Sequence, residues 1–298
     1  MTTIPTTPKS YEIGGCEIGG APGQLPTCLI GSIFYANQKI HIDEKAGTFK
    51  KEEAERLINL QQEFSDKTGN PHMFDVVGST QEALIKHIEF VSTLTEAPLL
   101  LDGITSEIRI NALRQLPKLG VKNPIIYNSI TPDFKLEELA AIEEAGIESA
   151  VLLTFNTRDF TSKGRVNAAK ELLAKTAKTI TKPLVDTAVL DIPTLGIACK
   201  AISVVKEETG VPCGAGVHNA IETWRGLSTK LGLQAKKPAM ASAAAMAVSM
   251  GADFILYGPL EAADVIFPTV AMVDAAIGQL SFESGSPPKK PHPLFKIA

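Results

Sequence analysis

V-P-C-G-A-G-V-H-N-A-I-E-T-W, residues Val211–Trp224, is a short apolar run that leads through a glycine-rich turn into a segment with helical spacing. This pattern predicts one strand, one loop and one helix. The glycines have no Cβ, so the backbone there can approach a bound molecule closely. His218 and Asn219 follow in the loop. Taken alone, the stretch favours a simpler interpretation, in which Asn219 caps the helix Ala220–Leu231.

The same strand-to-helix pattern recurs along most of the chain. From Thr27 onward, eight short apolar runs alternate with longer segments of helical periodicity. The predicted strands are Thr27–Phe34, Met73–Val77, Leu99–Asp102, Ile125–Asn128, Ala150–Phe155, Leu184–Asp186, Val211–Gly214 and Phe254–Tyr257. Glycine follows five of the predicted helices, which is typical of left-handed C-terminal caps. These glycines are Gly69, Gly120, Gly146, Gly210 and Gly251.

Eight such units predict a (β/α)8 TIM barrel, whose active site lies at the C-terminal ends of its parallel strands. An open doubly wound sheet is the alternative, but neither a P-loop nor a dinucleotide-binding glycine pattern follows an early strand. We assign residues 27–282 to the barrel. Residues 1–26 are rich in glycine, proline and threonine and predict a short N-terminal hairpin or lid. Residues 283–298 form a C-terminal tail, of which we expect Ser284–Lys290 to be extended on the surface.

Composition argues against several classes of function. The chain has 29 basic and 33 acidic residues and a formal net charge of −4, so we predict neither a nucleic-acid partner nor binding to an anionic membrane. The start M-T-T-I-P-T-T-P does not resemble a signal peptide, and no apolar run approaches membrane-spanning length, so we expect a cytoplasmic protein without membrane insertion. The four cysteines lie far apart without metal-ligand spacing, so we expect reduced thiols and no metal site.

Polar residues close the predicted strands, and in a barrel they would face one cavity. They are Asp75, Asp102, Asn128, Asn156, Asp186, His218 and Asn219. The set has no cluster of arginine or lysine, which argues against a phosphate or carboxylate substrate. A metal site made of Asp75, Asp102 and His218 is an alternative that no ligand spacing supports. Carboxylates and amides suit a planar heterocycle with adjacent NH and amino groups, such as a pterin, because one carboxylate accepts both donors.

Three of these residues also have simpler interpretations. Asp102 is a typical cap for the helix that follows it, Asn128 suits a turn, and Asp75 is an ordinary strand terminus. Asp191 lies five residues beyond Asp186 and competes with it for the same role.

Motifs spread over nearly the whole chain resemble one protein family. They are I-G-G-A-P-G-Q-L-P-T-C-L-I-G-S-I-F-Y from Ile18, I-Y-N-S-I from Ile126, L-V-D-T-A-V from Leu184, N-A-I-E-T-W from Asn219 and L-Y-G-P-L-E from Leu256. In this order they resemble the H subunit family of tetrahydromethanopterin S-methyltransferase, in particular its bacterial methylcobamide:tetrahydrofolate methyltransferases. More distantly, the chain resembles methyltetrahydrofolate:corrinoid methyltransferases and dihydropteroate synthases, which implies a pterin-binding barrel.

The resemblance implies roles for individual residues. Asp102, Asn128 and Asp186 would hold the pyrimidine edge of a pterin. Asn219 would bond to N5, the ring nitrogen that carries the methyl group. The wider family has serine before that asparagine, whereas this chain has His218.

The implied reaction moves a methyl group between a corrinoid and N5 of tetrahydrofolate, with methyltetrahydrofolate as the methylated form. The chain has no D-x-H-x-x-G corrinoid motif, so a partner protein would carry the corrinoid. The alternatives are a tetrahydromethanopterin-dependent methyltransferase subunit and a non-catalytic pterin-binding scaffold. Pteroate synthesis is a further rival that would need a basic pocket for diphosphate. We also expect a homodimer.

Overall fold

The computed structural model describes residues 7–298. Residues 1–6 lie outside the described residues. They begin the predicted N-terminal extension and include most of the segment on which we based the expectation that there is no signal peptide. The strands of the described part follow in chain order: β1 (Ser10–Ile13), β2 (Cys16–Gly19), β3 (Cys28–Ile33), β4 (His41–Asp43), β5 (Thr48–Phe49), β6 (His72–Gly78), β7 (Leu99–Gly103), β8 (Ile125–Ile130), β9 (Ser149–Leu153), β10 (Lys182–Asp186), β11 (Cys213–Gly216) and β12 (Phe254–Pro259).

Strands β3 and β6 to β12 form a closed barrel. Each pairs in parallel with the next one along the chain, and β12 pairs with β3 to close the ring, with Phe254 opposite Cys28. The predicted TIM barrel is therefore confirmed, and the open doubly wound sheet is wrong. The pairs β1–β2 and β4–β5 are separate antiparallel hairpins.

Helices alternate with the barrel strands. In the described residues they are α1 (Lys51–Thr68), α2 (Gln81–Ser92), α3 (Ser106–Leu113), α4 (Leu116–Leu119), α5 (Leu136–Glu144), α6 (Ser162–Thr176), α7 (Ile192–Thr209), α8 (His218–Glu222), α9 (Leu227–Leu231), α10 (Lys236–Ser249) and α11 (Ala263–Glu283), with 3₁₀ turns at Leu233–Ala235, Leu260–Ala262 and Pro293–Phe295. All five predicted capping glycines have φ between +67° and +92°, so this prediction is confirmed.

Two predicted helices are wrong in length, because each contains a residue that breaks it. The helical periodicity of Ser106–Leu119 predicts one helix, but this segment divides into α3 and α4, since Pro117 has no amide hydrogen and its ring clashes with the preceding turn. The predicted helix Ala220–Leu231 divides into α8 and α9, because Gly226 adopts a φ of +87° between them. The short α8 therefore stays at the end of β11.

The β1–β2 hairpin closes the lower end of the barrel, where the strands begin. Ile13 and Ile18 are buried and pack against inward-facing residues of the barrel such as Ile30. Gly14 turns the hairpin with a φ of +55°, and a Cβ at this position would collide with Pro124 at the start of β8. The predicted hairpin is confirmed, and it covers the end of the barrel opposite the mouth.

The C-terminal tail returns from α11 to this hairpin. Residues 284–287 are exposed, in line with the prediction. The Lys289 amide then donates to the Gln24 carbonyl at 2.9 Å, and the Lys289 side chain pairs with Glu17 of β2. His292 is buried. The tail thus ties the end of the last helix to the hairpin.

By length and composition, the helix Leu260–Glu283 is apolar enough to cross a membrane. Our prediction that no apolar run approaches that length is wrong for this segment. Its inner face carries buried residues, among them Ile266, Phe267 and Val270, that belong to the main hydrophobic core. The helix is thus apolar on the side that covers the barrel, as expected for a helix packed on a sheet.

Candidate functional site

The barrel interior changes from apolar to polar one layer above the hairpin. Side chains alternate along a strand, so residues two apart face the same way. The lower inward layer is apolar and includes Ile30, Met73, Leu100, Ile126 and Leu184. Two residues further along the same strands lie Ser32, Asp75, Asp102, Asn128 and Asp186, which we call the polar layer. It faces the C-terminal mouth of the barrel, where the sequence predicts the site.

Asp75 joins two neighbours in the polar layer. The Ser32 hydroxyl donates to Asp75 Oδ2 at 2.7 Å, and Asn128 Nδ2 donates to Asp75 Oδ1 at 3.0 Å. Both carboxylate oxygens of Asp75 therefore accept hydrogen bonds from other side chains of the protein. Burial raises the pKa of Asp75, and these two hydrogen bonds oppose the rise. Since Asn128 gives its amide hydrogen to Asp75, its Oδ1 remains free to accept.

Asp102 lies beside Asp75 and is partly buried. Burial raises the pKa of Asp102 well above its usual range, the Asp75 charge raises it further, and Arg109 opposes both effects. The pair therefore holds a proton more tightly than two carboxyl groups in water. Asp102 does not cap the following helix, because the side chain that accepts from the Ile108 amide at the start of α3 belongs to Thr105.

The structure separates Asp186 from Asp191. Asp186 ends β10, and its Oδ1 accepts from the Ala188 amide at 2.7 Å. Burial raises its pKa to about 6, against hydrogen bonds from Ala188 and Gly216. Asp191 is exposed and caps α7 by accepting from the Thr194 amide at 3.0 Å. Only Asp186 therefore belongs to the polar layer.

Gly216, the last residue of β11, lies where three functional groups meet. A Cβ at this position would be 3.4 Å from Asn219 Nδ2, 3.6 Å from His218 Cε1 and 3.8 Å from Asp186 Oδ2. The missing side chain leaves a small open space that all three groups border. The structure thus brings His218 and Asn219 to the same mouth as Asp186, as the sequence predicts.

Asn219 is not a helix cap, so that interpretation is wrong: α8 begins at His218, and Val217 precedes it in the capping position. Asn219 Nδ2 donates instead to the Val189 carbonyl at 3.0 Å. The role of Asn156 as a ligand contact stays a prediction. Asn156 Oδ1 accepts from the Arg158 amide at 2.9 Å, which is a turn contact within its own loop.

Two arginines behind the polar layer were missed by sequence reasoning. Arg109 of α3 donates to the Gly103 carbonyl at 2.6 Å and to the Ser129 carbonyl at 3.3 Å. These two carbonyls directly follow Asp102 and Asn128. Arg165 of α6 is 1 % exposed and donates to the Thr187 carbonyl at 2.7 Å and the Ala188 carbonyl at 3.0 Å, directly after Asp186. Each arginine therefore holds the backbone next to polar-layer residues.

A short repeat marks both arginines in the sequence. T-S-E-I-R ends at Arg109 and T-S-K-G-R ends at Arg165. In both, the threonine caps the helix, which places the arginine one turn inside it, level with the ends of the strands. The repeat T-S-x-x-R is therefore a usable signal for residues that support the site.

We expect Arg165→Met to lower the free energy of unfolding by about 3 kcal/mol, because it leaves the carbonyls of Phe160, Thr187 and Ala188 without their charged donor. Chemical denaturation measures this loss, and amide hydrogen exchange at Ala188 should become faster. Arg114→Met is the control. Arg114 forms only surface ion pairs with Glu137 and Glu144, worth at most about 1 kcal/mol. Equal losses in the two variants would contradict the role of Arg165.

The surroundings of the mouth are apolar on one side. A hollow of about 430 Å³ opens beside α8, and its walls include Ile221, Trp224 and Met246. A larger cavity of about 610 Å³ lies at the opposite end, near the hairpin. Within residues 7–298, no group of three histidine, cysteine, aspartate or glutamate side chains is placed to hold a metal ion.

The family model described as "Tetrahydromethanopterin S-methyltransferase MtrH subunit" matches residues 7–288. The chain is 37% identical to the H subunit of tetrahydromethanopterin S-methyltransferase from Methanothermobacter thermautotrophicus over 298 residues, covering 96% of each chain. It is 35% identical to the H subunit of the putative methyltransferase mtx from Methanosarcina barkeri, covering 95% of each.

Solved structures with the same fold include dihydropteroate synthases. The enzyme of Xanthomonas albilineans in complex with 7,8-dihydropteroate matches with a TM-score of 0.60 at 15% identity, over 90% of this chain and 98% of that one. The enzyme of Thermus thermophilus in complex with 4-aminobenzoate matches with a TM-score of 0.58 at 13% identity, over 90% and 99%. At these identities the likeness is one of fold.

Proposed function

Because the chain belongs to the tetrahydromethanopterin S-methyltransferase MtrH subunit family, we propose that it binds a reduced pterin on its polar layer and transfers a methyl group between N5 of that pterin and a corrinoid. The names of the relatives favour tetrahydromethanopterin, our alternative from the sequence. Tetrahydrofolate, which the resemblance to bacterial methyltransferases predicts, is the second candidate. The two share the reduced pterin ring, so one site serves either.

The observation that carries this proposal is the acceptor-rich polar layer. The acceptors facing the mouth are the carboxyls of Asp102 and Asp186, the latter also bonded to the Ala188 amide, and the Oδ1 atom of Asn128, whose Nδ2 is bonded to Asp75. A reduced pterin presents an amino group and ring NH groups along one edge, so its donors match these acceptors. The two arginines near this layer donate to backbone carbonyls, which leaves the layer itself without a cation aimed at the ligand.

In the proposed reaction the corrinoid supplies the methyl chemistry, and the barrel binds and orients the pterin. Asp186 and Asn128 hold the ring on the floor of the mouth. Asn219 stands above Gly216, with its amide turned by the bond to the Val189 carbonyl. Its free Oδ1 is proposed to face N5 and to stabilise, through the amide dipole, the positive charge that develops there. The contact is proposed to matter most as charge develops at N5, and hence for the rate of transfer.

We infer that the chain acts within a larger methyltransferase and meets a corrinoid-binding partner protein, since its relatives are named as H subunits. The apolar hollow beside α8 borders the mouth and offers a surface on which such a partner can pack. The homodimer and the cytoplasmic location stay predictions.

A direct assay tests the proposal against its rivals. The purified chain is mixed with methylcobalamin and either tetrahydromethanopterin or tetrahydrofolate, and formation of the N5-methyl product is followed. We expect transfer to at least one pterin, with the faster one identifying the substrate. Pterin binding without transfer would support the scaffold alternative, and the absence of both would refute the proposal. Pteroate formation from a pterin diphosphate and 4-aminobenzoate would favour the synthase rival.

A further inference from the structure

His218 carries the imidazole at the barrel mouth, and one hydrogen bond fixes which ring nitrogen bears the hydrogen. Its Nδ1 lies 3.1 Å from the carbonyl oxygen of Leu256. A carbonyl oxygen can only accept, so Nδ1 is the donor and carries a hydrogen. In the neutral ring, Nε2 then has a free lone pair. The ring is half-buried, so this lone pair has a defined direction.

Two glycines make room for this ring. Gly258 in β12 has a φ of +82°, and a Cβ there would lie only 2.7 Å from the Cβ of His218. Gly216 lies on the other side, where the ring borders the same space as Asp186 and Asn219. Asp75 and Asp186 both interact electrostatically with His218. The imidazole is therefore held over the polar layer and next to Asn219.

The other polar groups at this point are less suited to carry a proton to or from the ligand. The amide of Asn219 has no acidic or basic form near neutral pH. Both oxygens of Asp75 already accept hydrogen bonds, and Oδ1 of Asp186 accepts from the Ala188 amide. Under the proposed function, the acceptors of Asp102 and Asp186 bind the donor edge of the pterin, so His218 Nε2 is the basic atom left to serve N5.

We propose that His218 is the group that accepts the N5 proton during methyl transfer to the pterin and returns it in the reverse direction. The proposal rests on the function proposed above. In the forward direction, the N5 lone pair forms a bond to the methyl carbon while the cobalt–carbon bond breaks and its electron pair stays on the cobalt, which is thereby reduced from Co(III) to Co(I). The proton of N5–H moves to Nε2 of His218. The carboxyl groups of Asp75 and Asp186 stabilise the imidazolium that forms.

In the reverse direction, the imidazolium protonates N5 of the methylated pterin and makes it a better leaving group for attack by Co(I). The two neighbouring residues thus have separate roles: Asn219 orients N5, and His218 carries the proton. General acid–base groups of this kind contribute roughly 10²- to 10⁴-fold to a rate.

Charged groups face His218 from several elements. Asp75 and Asp186 act on it from the strands, and α8 packs against α7, α10 and β12. At the ends of these elements nearest the mouth, the charged groups are Asp191, Glu222, Lys236, Lys237 and Glu261. The other titratable groups of these elements lie further from the mouth or inside the barrel wall: Cys199, Lys200, Lys206, Glu207, Glu208, Asp253 and Tyr257.

His218→Gln tests the proposal, because glutamine fills similar space and cannot take up the proton. We expect pterin affinity, followed by the fluorescence of the single tryptophan Trp224, to stay within about threefold. The rate of transfer from methylcobalamin at saturating pterin should fall about 100-fold, and the shape of its pH profile should change. His218→Gly should regain part of the rate when imidazole is added.

His72→Gln is the matched control, because His72 lies at the beginning of β6, far from the mouth, and bonds to Ser65. Its pH profile should keep the wild-type shape. A His218→Gln enzyme with the wild-type rate and pH profile would overturn this inference and leave the proposed function intact. A wild-type chain that transfers no methyl group to either pterin would overturn both.

Discussion

Asn219→Ala is expected to slow methyl transfer at saturating pterin by about 10²- to 10³-fold, as found for side chains that stabilise charge only in the transition state. Pterin affinity should stay within about tenfold, a change of about 1.4 kcal/mol. The reason is that Asn219 borders the space above Gly216, whereas the floor of the site belongs to other residues. Stopped-flow transfer from methylcobalamin and a separate pterin titration measure the two effects.

Thr223→Ala is the matched control for this variant. The Thr223 hydroxyl has one hydrogen, and its oxygen lies 2.6 Å from the Asn219 carbonyl and 3.2 Å from the Leu190 carbonyl, next to the Val189 carbonyl that Asn219 holds. Both variants lose one side-chain hydrogen bond, at a cost of about 1 kcal/mol in stability. Only Asn219→Ala should slow methyl transfer. A wild-type rate of methyl transfer in Asn219→Ala would contradict the proposed role of Asn219 at N5.

Asp186→Ala is expected to act on binding first and to weaken pterin affinity about 100-fold or more. A buried carboxylate that accepts two donors contributes about 3 kcal/mol through hydrogen bonds to a charged group. Asp191→Ala is the control, since Asp191 caps α7 and is exposed. Its loss should cost about 1 kcal/mol of stability without a change in affinity. Equal affinities in the two variants would contradict the role of Asp186.

The same residue predicts a pH dependence of pterin binding. Burial raises the pKa of Asp186 to about 6, so the carboxylate is lost as the pH falls through 6 and affinity should fall with it. The folded state binds this proton more tightly than the unfolded state does. The contribution of Asp186 to the free energy of unfolding therefore decreases as the pH rises from about 4 to 6. In Asp186→Asn, both inflections near pH 6 should disappear in titration and denaturation experiments.

The barrel was predictable because its signals are local. Each capping glycine follows its own helix, and the alternation of apolar runs with helical segments needs no knowledge of contacts between them. The polar layer was predictable for the same reason. Asp102 and Asp186 each follow an apolar inward residue by two positions, so the change from apolar to polar is visible along a single strand.

The contacts within the site were not predictable, since they join distant parts of the chain. The sequence suggests a strand terminus at Asp75, but this residue lies inside β6 and bonds to Asn128, 53 residues away. Asn156 follows a strand in the same way as the polar-layer residues, yet it closes its own turn. Sequence spacing alone cannot separate these two cases. The supporting arginines lie on helices outside the barrel strands. Arginine is common on helix surfaces, so its position in the sequence does not indicate a role in the site.

Because the β1–β2 hairpin closes the lower end of the barrel, it sets the order in which the pterin and the partner protein bind at the mouth. With Ile13 and Ile18 filling the base of the barrel, residues 7–298 leave a ring seated on the polar layer one route in and out, through the mouth. Under the proposed function, the corrinoid-bearing partner must reach N5 through the same mouth of the barrel. The small molecule therefore enters before the partner docks and leaves only after it departs, so kinetics with both substrates should show a compulsory sequence with the pterin first on and last off.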